Sequence, residues 1–329
     1  MTRSCLITGC GGFIGSYLAE YLLENGLAVH GIIHQNRKNI AHLGSRLNVL
    51  KCDLLDRDEV ESIVAHVKPD FVFHLASENS IPASWQDPGK TLKTNVLGTL
   101  NLLDGIRKTG IDPVVEVTGS SAEYGFVTRD EIPIMETRES RPTSPYGVSK
   151  AAESMLAYLY WHAYGMRIVR LRPFYVIGPR KAPYACSDFA RTIVDIEAGT
   201  KQELRVGNLE SVRDPVDIRD VVRAMWLLAE EGKPGEVYNI CSGREYTIGD
   251  VLEIMVALSH QPVRVVADTT RLRSSDEPVL VGDCGKLKSL GWQPQIPIEK
   301  SLSDILEYWR ENLCDGESTH LEEDSGRRP

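Results

Sequence analysis

The chain has 329 residues and a formal net charge of −9, and 42% of its residues are hydrophobic and 25% charged. This length predicts a substantial core and about two lobes, and an acidic chain without long basic runs is not expected to bind nucleic acid. No apolar run reaches membrane-spanning length, and the first residues lead into a strand-like segment rather than a signal peptide. We therefore expect a cytoplasmic protein that makes no membrane contact.

Seven cysteines form an odd set without a Cys-x-x-Cys pair and without histidines at zinc-like spacing. This pattern favours reduced, structural thiols and predicts no metal site. Cys10 lies inside the glycine loop described next, where a packing role is favoured over that of a nucleophile.

The N-terminal segment reads as strand, glycine turn and helix. Residues Ser4–Thr8 are apolar, a glycine-rich loop follows at residues 9–15, and residues 16–25 have helical periodicity. The glycines would allow a tight turn, close approach of a pyrophosphate and close packing of helix on strand. We assign a dinucleotide site to this loop, with the following residues against the cofactor: Gly9, Gly12, Phe13, Ile14 and Gly15.

The second predicted strand, Ala28–Ile33, ends in a polar loop that has no carboxylate where a group for the adenosine ribose is expected. A carboxylate there would bind the ribose hydroxyls of NAD, whereas basic residues can receive the 2′-phosphate of NADP. His34, Asn36 and Arg37 join the predicted cofactor site, and Lys38, together with Arg37 and His34, could receive the 2′-phosphate. NADP(H) is favoured over NAD(H), with a solvated basic loop as the alternative.

Later elements extend this site. A third strand at residues 48–52 leads toward the adenine, and a buried strand at residues 70–76 ends in small residues that let a cofactor lie close to the backbone. A helical pattern at residues 91–108 carries an asparagine that can bond backbone, although a lone helical asparagine is more often a surface residue. These segments add the following residues to the cofactor site: Asp53, Leu54, Leu75, Ala76, Ser77 and Asn95.

A strand at residues 113–118 delivers Ser120 to the carboxyl end of a parallel sheet, where ligands bind. A long helix, Pro145–Tyr164, then places Tyr146 and Lys150 one turn apart on one face. A nearby ammonium is expected to lower the pKa of a tyrosine from its usual value of about 10, which would give an acid and base for a hydroxyl or carbonyl. The alternative is a half-buried ring beside a solvated lysine.

The alternation of strands and helices predicts an α/β fold, a doubly wound parallel sheet of the Rossmann type, with a smaller C-terminal lobe. The dinucleotide-binding domain is assigned to residues 1–174, joined by parts of 215–241. Residues 175–214 and 242–313 form the predicted substrate-binding lobe, with a hairpin-like segment at 204–214. Residues 314–329 are polar and are predicted to be disordered.

Collinear motifs across residues 4–313 resemble the extended short-chain dehydrogenase/reductase family. They are Thr8-Gly9-x-x-Gly12-x-x-Gly15, Asp53-Leu54, His74-Leu75-Ala76, Ser120, Tyr146-x-x-x-Lys150, and Arg172-Pro173-Phe174 before Gly178-Pro179. Within the family the resemblance is to enzymes of the GDP-mannose pathway. Residues 16–24 and 29–32 are similar to the 4,6-dehydratases, residues 206–214 and 237–243 to the 4-keto-6-deoxy-mannose reductases, and residues 272–278 to both.

The resemblance implies roles for individual residues. Tyr146 would transfer the proton, Lys150 would lower its pKa and hold the nicotinamide ribose, and Ser120 would hydrogen-bond the sugar oxygen. Arginines would hold the diphosphate of a nucleotide sugar, which by resemblance is GDP-linked, although each has an acidic neighbour and could form an ordinary ion pair instead. The implied substrate residues are Tyr175, Asn208, Arg213, Arg273 and Asp276, and Pro173 and Val176 are implied at the cofactor.

Two positions depart from the family pattern: Tyr175 stands where asparagine is common, and Ser274 stands where proline is common. Either departure could mean an altered sugar or nucleotide. The family also implies a homodimer through the helices at residues 91–108 and 146–164. The second helix has an apolar side at Met155, Leu156, Leu159 and Tyr160 that we predict to face the core. It also carries Tyr158, Trp161 and Tyr164, rings that fit either a partner surface or packing within the monomer.

A 4,6-dehydratase needs a second acid/base, which the family places two residues before the tyrosine of its Tyr-Gly pair; Ala122 stands there. Glu123 is adjacent, but neighbouring side chains in extended backbone point to opposite sides, so it and Ser121 are assigned only as auxiliary residues. The predicted function is therefore NADPH-dependent reduction of the C4 ketone of a 4-keto-6-deoxy sugar nucleotide. The alternatives are a nucleotide-sugar 4-epimerase, a GDP-mannose 4,6-dehydratase, and a non-catalytic NADP-binding regulator.

Overall fold

A computed structural model describes residues 2–271 and 277–314, with side chains described up to residue 312. Its strands are β1 (Ser4–Thr8), β2 (Ala28–Ile33), β3 (Leu47–Lys51), β4 (Phe71–His74), β5 (Val114–Thr118), β6 (Ile168–Pro173), β7 (Tyr175–Ile177), β8 (Leu204–Val206), β9 (Val212–Arg213), β10 (Pro215–Asp217), β11 (Val237–Ile240), β12 (Tyr246–Thr247), β13 (Val265–Ala267) and β14 (Val279–Leu280). Residues 272–276 are not described, and Arg273, Ser274 and Asp276 are among them. Of the predicted tail at 314–329, residue 314 is the last residue of the C-terminal helix, and residues 315–329 lie outside the described residues.

The helices alternate with the strands. They are α1 (Phe13–Glu24), α2 (Arg57–Val67), α3 (Ile81–Gln86), α4 (Pro88–Leu92), α5 (Gly98–Thr109), α6 (Pro145–Tyr164), α7 (Ala185–Glu197), α8 (Ile218–Glu231), α9 (Ile248–Ala257), α10 (Gly285–Lys288) and α11 (Ile298–Cys314). A π-helical turn, Lys93–Leu97, joins α4 to α5, and 3-10 turns span Lys38–Arg46, Ser121–Glu123, Arg129–Glu131 and Thr269–Arg271.

Seven parallel strands form the central sheet in the order β11-β6-β5-β4-β1-β2-β3, which confirms the predicted doubly wound fold. The chain leaves β1 toward β2 on one side and returns to β4 on the other, so the strand order reverses between β1 and β4. In such sheets a crevice opens at the carboxyl ends of the strands beside this reversal. Thr8, His74 and Thr118 end three adjacent strands there.

Apolar side chains cover both faces of the central sheet. On one face, α1 and α8 bury residues such as Leu18 and Val221 against the strands. On the other face, α2, α5 and α6 bury Val60, Leu102 and Ala157. Because parallel strands are buried on both faces, the strand sequences read as almost continuous apolar runs.

A separate core lies in the C-terminal part, where α7, α9 and α11 pack together. The prediction of a hairpin at residues 204–214 is wrong. Strand β8 pairs in parallel with β13, whereas β9 pairs with β12 and β14 in a different sheet. Local alternation identifies short strands but carries no information about partners more than 30 residues away, which is where both strands find theirs.

The buried side of helix α6 differs from the side predicted from the sequence. Met155 is 65% and Leu159 is 51% exposed, so the prediction that these residues face the core is wrong. The buried side carries small or polar residues, among them Lys150, Glu153 and Ala157, and Tyr160 is buried as predicted. Small side chains let the helix approach the sheet closely and leave the larger apolar residues outside.

Six cysteines of the described chain are buried and free: Cys5, Cys10, Cys52, Cys186, Cys241 and Cys284. Burial raises the pKa of the Cys10 thiol to about 12, which favours the predicted packing role over that of a nucleophile. Among the described helices, none is long and apolar enough to cross a membrane.

Candidate active site

One cavity of about 1210 Å³ opens at the carboxyl ends of the central strands and runs from the glycine loop to the small strands of the C-terminal lobe. The residues assigned to a site from the sequence that line it are Gly9, Gly12, Phe13, Ile14, Gly15, His34, Asn36, Leu75, Ala76, Ser77, Ser120, Ser121, Tyr146, Lys150, Pro173, Tyr175, Val176, Asn208 and Arg213. Those that do not line it are Arg37, Asp53, Leu54, Asn95 and Glu123.

The glycine loop forms a cradle that side chains would fill. Gly9 has a φ of +69°, and a Cβ there would lie 2.7 Å from the backbone nitrogen of Ala76. A Cβ at Gly15 would lie 2.4 Å from the carbonyl oxygen of Gly9. Among the described residues, no side chain caps the N-terminus of α1 at Gly12, so its first backbone N–H groups face the cavity without a side-chain acceptor. This arrangement fits the pyrophosphate of a dinucleotide.

The loop after β2 supplies basic and neutral polar groups. His34, Asn36 and Lys38 line the cavity, whereas Arg37 does not, so the structure brings Lys38 rather than Arg37 to this wall. Asp53 also lies off the wall, where its carboxylate accepts a hydrogen bond from the Leu55 backbone at 3.0 Å. Asp53 thus stabilises its own turn, a local role common for aspartate in loops.

A buried hydrogen-bond chain holds the segment after β4. Thr8 Oγ1 accepts from the backbone N–H groups of Leu75 and Ala76, which fixes its own hydroxyl as a donor to His74 Nδ1 at 2.8 Å. His74 Nε2 lies 2.8 Å from Thr99 Oγ1, whose hydroxyl donates to the Asn95 carbonyl oxygen. These roles assign the neutral Nε2–H tautomer. Burial lowers the pKa of His74 to about 3, so the imidazole stays neutral.

Asn95 lies in the π-helical turn and is fully buried, so the alternative of a surface position is wrong. Its Oδ1 accepts from the Glu78 backbone at 2.7 Å, and its Nδ2 donates to the Glu78 carbonyl and to Ser149 Oγ. Asn95 therefore ties the loop after β4 to helix α6 instead of facing the cavity itself.

Ser120 stands at the end of β5, in a turn stabilised by a reciprocal cap. Its Oγ accepts from the Ala122 backbone at 3.2 Å, and its own backbone N–H donates to Glu123 Oε1 at 2.9 Å. The Ser120 hydroxyl also contacts the phenol of Tyr146. The turn therefore brings together two of the three residues that the resemblance implies for catalysis.

Helix α6 positions Tyr146 and Lys150. Ser144 caps the helix by accepting from the Gly147 backbone, and Pro145 occupies the first turn, so the phenol stands at a well-fixed N-terminus. Lys150 is almost fully buried, and its Nζ donates to the Thr118 carbonyl oxygen at 2.9 Å and to Glu153 Oε2 at 3.1 Å. The alternative of a solvated lysine is therefore wrong.

The expected lowering of the Tyr146 pKa is also wrong for this structure. Burial raises the pKa of Tyr146 above its usual value, and the opposing effects of Lys150 and the Ser120 hydroxyl do not cancel that rise. Burial alone would lower the pKa of Lys150, but its contact with Glu153 brings the net shift upward. At neutral pH the pair is thus a phenol beside an ammonium.

Glu123 is turned away from the cavity, contrary to its assignment as an auxiliary group. Its side chain is fully buried, and Oε2 lies 2.8 Å from Arg172 Nε. With one oxygen on Arg172 and the other on the Ser120 backbone, this carboxylate supports the turn. Ser121 and Ala122 line the cavity in its place.

The far end of the cavity carries the predicted substrate residues. Arg213 Nη1 donates to the carbonyl oxygens of Val212 and Glu277, each at 2.9 Å, while Asp214 accepts from the segment around Ser242, so the alternative of an ion pair between Arg213 and Asp214 is wrong. Asn208 bonds Ser211 and the Glu210 backbone within its own loop. The Tyr175 hydroxyl lies 3.6 Å from Cys186 Sγ.

Several cavity residues were not predicted. Lys181 Nζ donates to the Val176 carbonyl at 2.7 Å and lies 3.4 Å from the centroid of the Tyr184 ring, and burial lowers its pKa to about 7. Arg205 and Arg271 line the far end. Lys181 follows the Gly178-Pro179 motif by two residues, and that proximity could have identified it. No comparable pattern marks the two arginines, because their strand and turn join the cavity only through long-range pairing.

Comparison with known proteins gives concordant results. Residues 6–305 match the family model described as GDP-mannose 4,6 dehydratase. A GDP-6-deoxy-D-mannose reductase from Pseudomonas aeruginosa is 32% identical over 318 residues, which cover 95% of this chain and 99% of the relative.

Solved structures of similar chains have the same fold. One is a Pseudomonas aeruginosa protein, RMD, complexed with NADPH, with a TM-score of 0.83 and 31% identity over 94% of this chain and 100% of that one. Another is a UDP-glucose 4-epimerase from Thermotoga maritima with UDP-glucose, with a TM-score of 0.85 and 30% identity over 94% of this chain and 100% of that one.

Proposed function

The chain belongs to the GDP-mannose 4,6 dehydratase family, and we propose that it is an NADPH-dependent reductase acting on the C4 ketone of a GDP-linked 4-keto-6-deoxy sugar. The relatives and neighbours that it matches include nucleotide-sugar reductases, dehydratases and epimerases, and it is an NAD(P)-dependent enzyme of this kind. The choice among the three reactions depends on the groups around Tyr146.

The observation that carries the proposal is the absence of a carboxylate beside Tyr146 in the described cavity. Dehydration needs a second acid/base for the proton at C5, and Ala122 lines the cavity where that group is expected. Glu123 faces Arg172 instead. The carboxylates that do line the described cavity are Asp188 on α7 and Glu277, and Glu277 accepts a hydrogen bond from Thr143 at 2.8 Å.

Reduction of a ketone needs one proton donor and a group that orients the carbonyl. The Tyr146 phenol would donate its proton to the ketone oxygen, and the Ser120 hydroxyl would hydrogen-bond the same oxygen and hold it in place. Lys150 supplies a fixed positive charge under the phenol. The bound nicotinamide cofactor would supply the hydride.

The cofactor site has the groups that NADPH requires. The glycine cradle and the uncapped N-terminus of α1 suit the pyrophosphate, and Lys38 with His34 suits a 2′-phosphate. Residues 34–38 include no carboxylate that would repel that phosphate. This supports NADPH, the cofactor suited to net reduction.

The nucleotide end of the substrate would lie among Arg205, Arg213 and Arg271. Guanidinium groups bind phosphate oxygens through two donors at once, so they suit a diphosphate better than a neutral sugar. Because these arginines and Tyr146 line one cavity, a diphosphate held at the far end would anchor the substrate while its C4 ketone lies at Tyr146.

Product identification tests this proposal. The protein is incubated with NADPH and either GDP-mannose or GDP-4-keto-6-deoxy-mannose, and the products are followed by NMR. We expect NADPH oxidation and a 6-deoxyhexose nucleotide from the keto sugar, and no change in GDP-mannose. Dehydration of GDP-mannose would contradict the proposal, as would conversion of UDP-glucose to its C4 epimer with NAD alone. NADP binding without turnover of any of these substrates would favour the regulator.

We also propose a homodimer through the outer side of α6. Val148, Met155 and Leu159 are 45%, 65% and 51% exposed and follow one another along this side. Such a stripe is more apolar than a solvated helix requires. Sedimentation at micromolar concentration is expected to give a dimer for the wild type and a monomer for the Met155→Glu, Leu159→Lys double variant. A monomeric wild type would contradict the proposed dimer.

A further inference from the structure

Glu153 occupies an unusual place beneath the proposed catalytic pair. It follows Lys150 by one helical turn and Tyr146 by two, so all three lie on the buried side of α6. Its side chain is fully buried, and Oε2 lies 3.1 Å from Lys150 Nζ. The other oxygen, Oε1, has no hydrogen-bond partner among the described residues.

Glu153 and Lys150 form a buried ion pair, and each charge offsets part of the cost of burying the other. The carboxylate remains costly, because Oε1 has no hydrogen-bond partner among the described residues. The Lys150 ammonium already has a second acceptor in the Thr118 carbonyl oxygen at 2.9 Å. Besides offsetting the lysine, the carboxylate therefore places a negative charge beside the ammonium that acts on Tyr146.

Its effect on the phenol follows from charge. A lone ammonium near Tyr146 favours the phenolate, because opposite charges attract strongly where water is excluded. A carboxylate 3.1 Å from that ammonium cancels much of its field at the phenol. The phenol then keeps its proton to higher pH, and the raised pKa of Tyr146, to which burial contributes most and Glu153 adds, agrees with this direction.

Other charged groups surround the pair. The Glu123 carboxylate, in the turn after β5, raises the pKa of Glu153 and is itself paired with Arg172 on β6. On β4, His74 is neutral. On β6, Arg170 Nη1 lies 3.5 Å from Ser154 Oγ, one residue beyond Glu153. Burial raises the pKa of Glu153 to about 7 against the effect of Lys150, so its charge responds to pH near neutrality.

We propose that Glu153 is a positioning residue that keeps Tyr146 as a protonated phenol, so that the site donates a proton to a ketone instead of removing one from an alcohol. The inference deepens the proposed reductase function and rests on it for the direction of the reaction. The effect on the Tyr146 proton itself does not depend on which sugar is the substrate. The two can therefore fail separately.

The test replaces the charge and keeps the shape. Glu153→Gln retains an oxygen that can accept from Lys150, and Glu153→Met removes both charge and polarity at similar volume. The Tyr146 phenol is titrated by NMR of protein labelled with ¹³C at tyrosine Cζ, with Tyr146→Phe in each background to assign the signal. Tyr158→Phe, on the exposed part of the same helix, is the labelling control.

We expect the Tyr146 titration to move to lower pH by about one unit in both Glu153 variants, a tenfold change in the phenol–phenolate equilibrium. In kinetics, the fall in ketone reduction at high pH should move by the same amount, and alcohol oxidation should gain relative to reduction at neutral pH. Glu153→Asp should restore the wild-type titration in part.

An unchanged or upward-moved Tyr146 titration in a folded Glu153→Gln or Glu153→Met variant would overturn the proposal. If the Tyr146 titration moves to lower pH in the Glu153 variants but the wild type reduces no ketone, the proposed effect of Glu153 holds and the proposed reductase function is rejected. A loss of activity with an unmoved titration would mean that Glu153 acts only through packing, which also overturns the proposal.

Discussion

The two ends of the cavity differ in how firmly they hold their polar groups. At the sheet end, Lys150 is 5% exposed and bonded to main chain and to Glu153, and the Ser120 turn is capped from both sides. At the far end, Arg205 is 58% and Arg271 is 56% exposed. The contrast indicates that the reacting groups are fixed before any ligand arrives, whereas the nucleotide end can adjust.

Removing the phenol should have the largest effect. Tyr146→Phe deletes the proton donor of the sheet end, and loss of a general acid lowers turnover about 10²–10⁴-fold. Steady-state reduction of the keto sugar with NADPH measures this, and thermal unfolding should be unchanged. Tyr158→Phe, 45% exposed on the same helix, should keep full activity. If Tyr146→Phe kept more than a tenth of wild-type turnover, another group would have to supply the proton.

A change at the far end should alter binding and spare the chemistry. Arg213→Ala removes a charge-assisted contact to the diphosphate, which is equivalent to about 1.5–3 kcal/mol, or roughly a 10- to 150-fold rise in KM. The matched control is Arg129→Ala, an exposed arginine outside the cavity that is paired with Glu245, for which less than about a threefold rise is expected. A fall in kcat with KM unchanged would show that Arg213 supports the reacting groups instead.

The central sheet contains a buried carboxyl group, that of Glu116, that forms no hydrogen bond in the described structure. Glu116 on β5 is fully buried, neither oxygen has a hydrogen-bond partner in the part of the chain that the structure describes, and burial raises its pKa well above the usual value. Its neighbours Val115 and Val117 face the α5 and α6 side, so Glu116 points toward α1 and α8. Replacing it with methionine should stabilise the fold by about 1–3 kcal/mol.

The stabilisation at Glu116 should depend on pH. A carboxyl group with a raised folded pKa binds its proton more tightly in the folded state, so the folded state loses stability as pH rises above the unfolded pKa of about 4.3. The advantage of Glu116→Met over wild type should therefore grow between pH 5 and pH 8 in urea titrations. Glu116→Gln should remove the pH dependence with less gain, because an unpartnered polar group remains. Destabilisation of the methionine variant at pH 8 would be the opposite result.

The smallest effect is expected at the adenosine end. Lys38 lines the cavity and Arg37 does not, so Lys38→Ala should raise KM for NADPH about fivefold, as expected for an exposed ion pair worth about 1 kcal/mol. Arg37→Ala should change it less than about twofold, and neither should change KM for NADH. Equal effects of the two variants would indicate that the loop acts only through its summed charge.

The sequence was most informative where one local segment determines the outcome. Tyr146 and Lys150 share a helix, and Gly9 to Gly15 form one turn, so spacing alone predicted their arrangement. Glu153 was missed because an acidic residue in a helix is normally solvated, although its spacing from Lys150 shows that it shares the buried side. Met155 and Leu159 were assigned to the buried side because they are apolar, but apolarity alone does not distinguish a core residue from an exposed one.

Features that depend on distant pairing could not be predicted. Strand β8 pairs with β13, and β9 pairs with β12 and β14, all more than 30 residues further along the chain, so the hairpin expected between β8 and β9 does not form. The pKa of Tyr146 depends on burial and on Glu153 together, and neither is visible in the Tyr-x-x-x-Lys pattern. Asn95 acquires its buried role from the π-helical turn around it.

Chemical labelling of the six buried cysteines can report how the molecule unfolds. Cys5 and Cys52 lie in the part of the molecule around the central sheet, and burial is the main cause that raises the pKa of each thiol to about 12. Cys186 lies in the core formed by α7, α9 and α11. A thiol reagent can reach such side chains only when the surrounding structure unfolds. In a Cys314→Ser background, the order in which they become labelled would therefore report whether the two halves separate as independent cooperative units or as one.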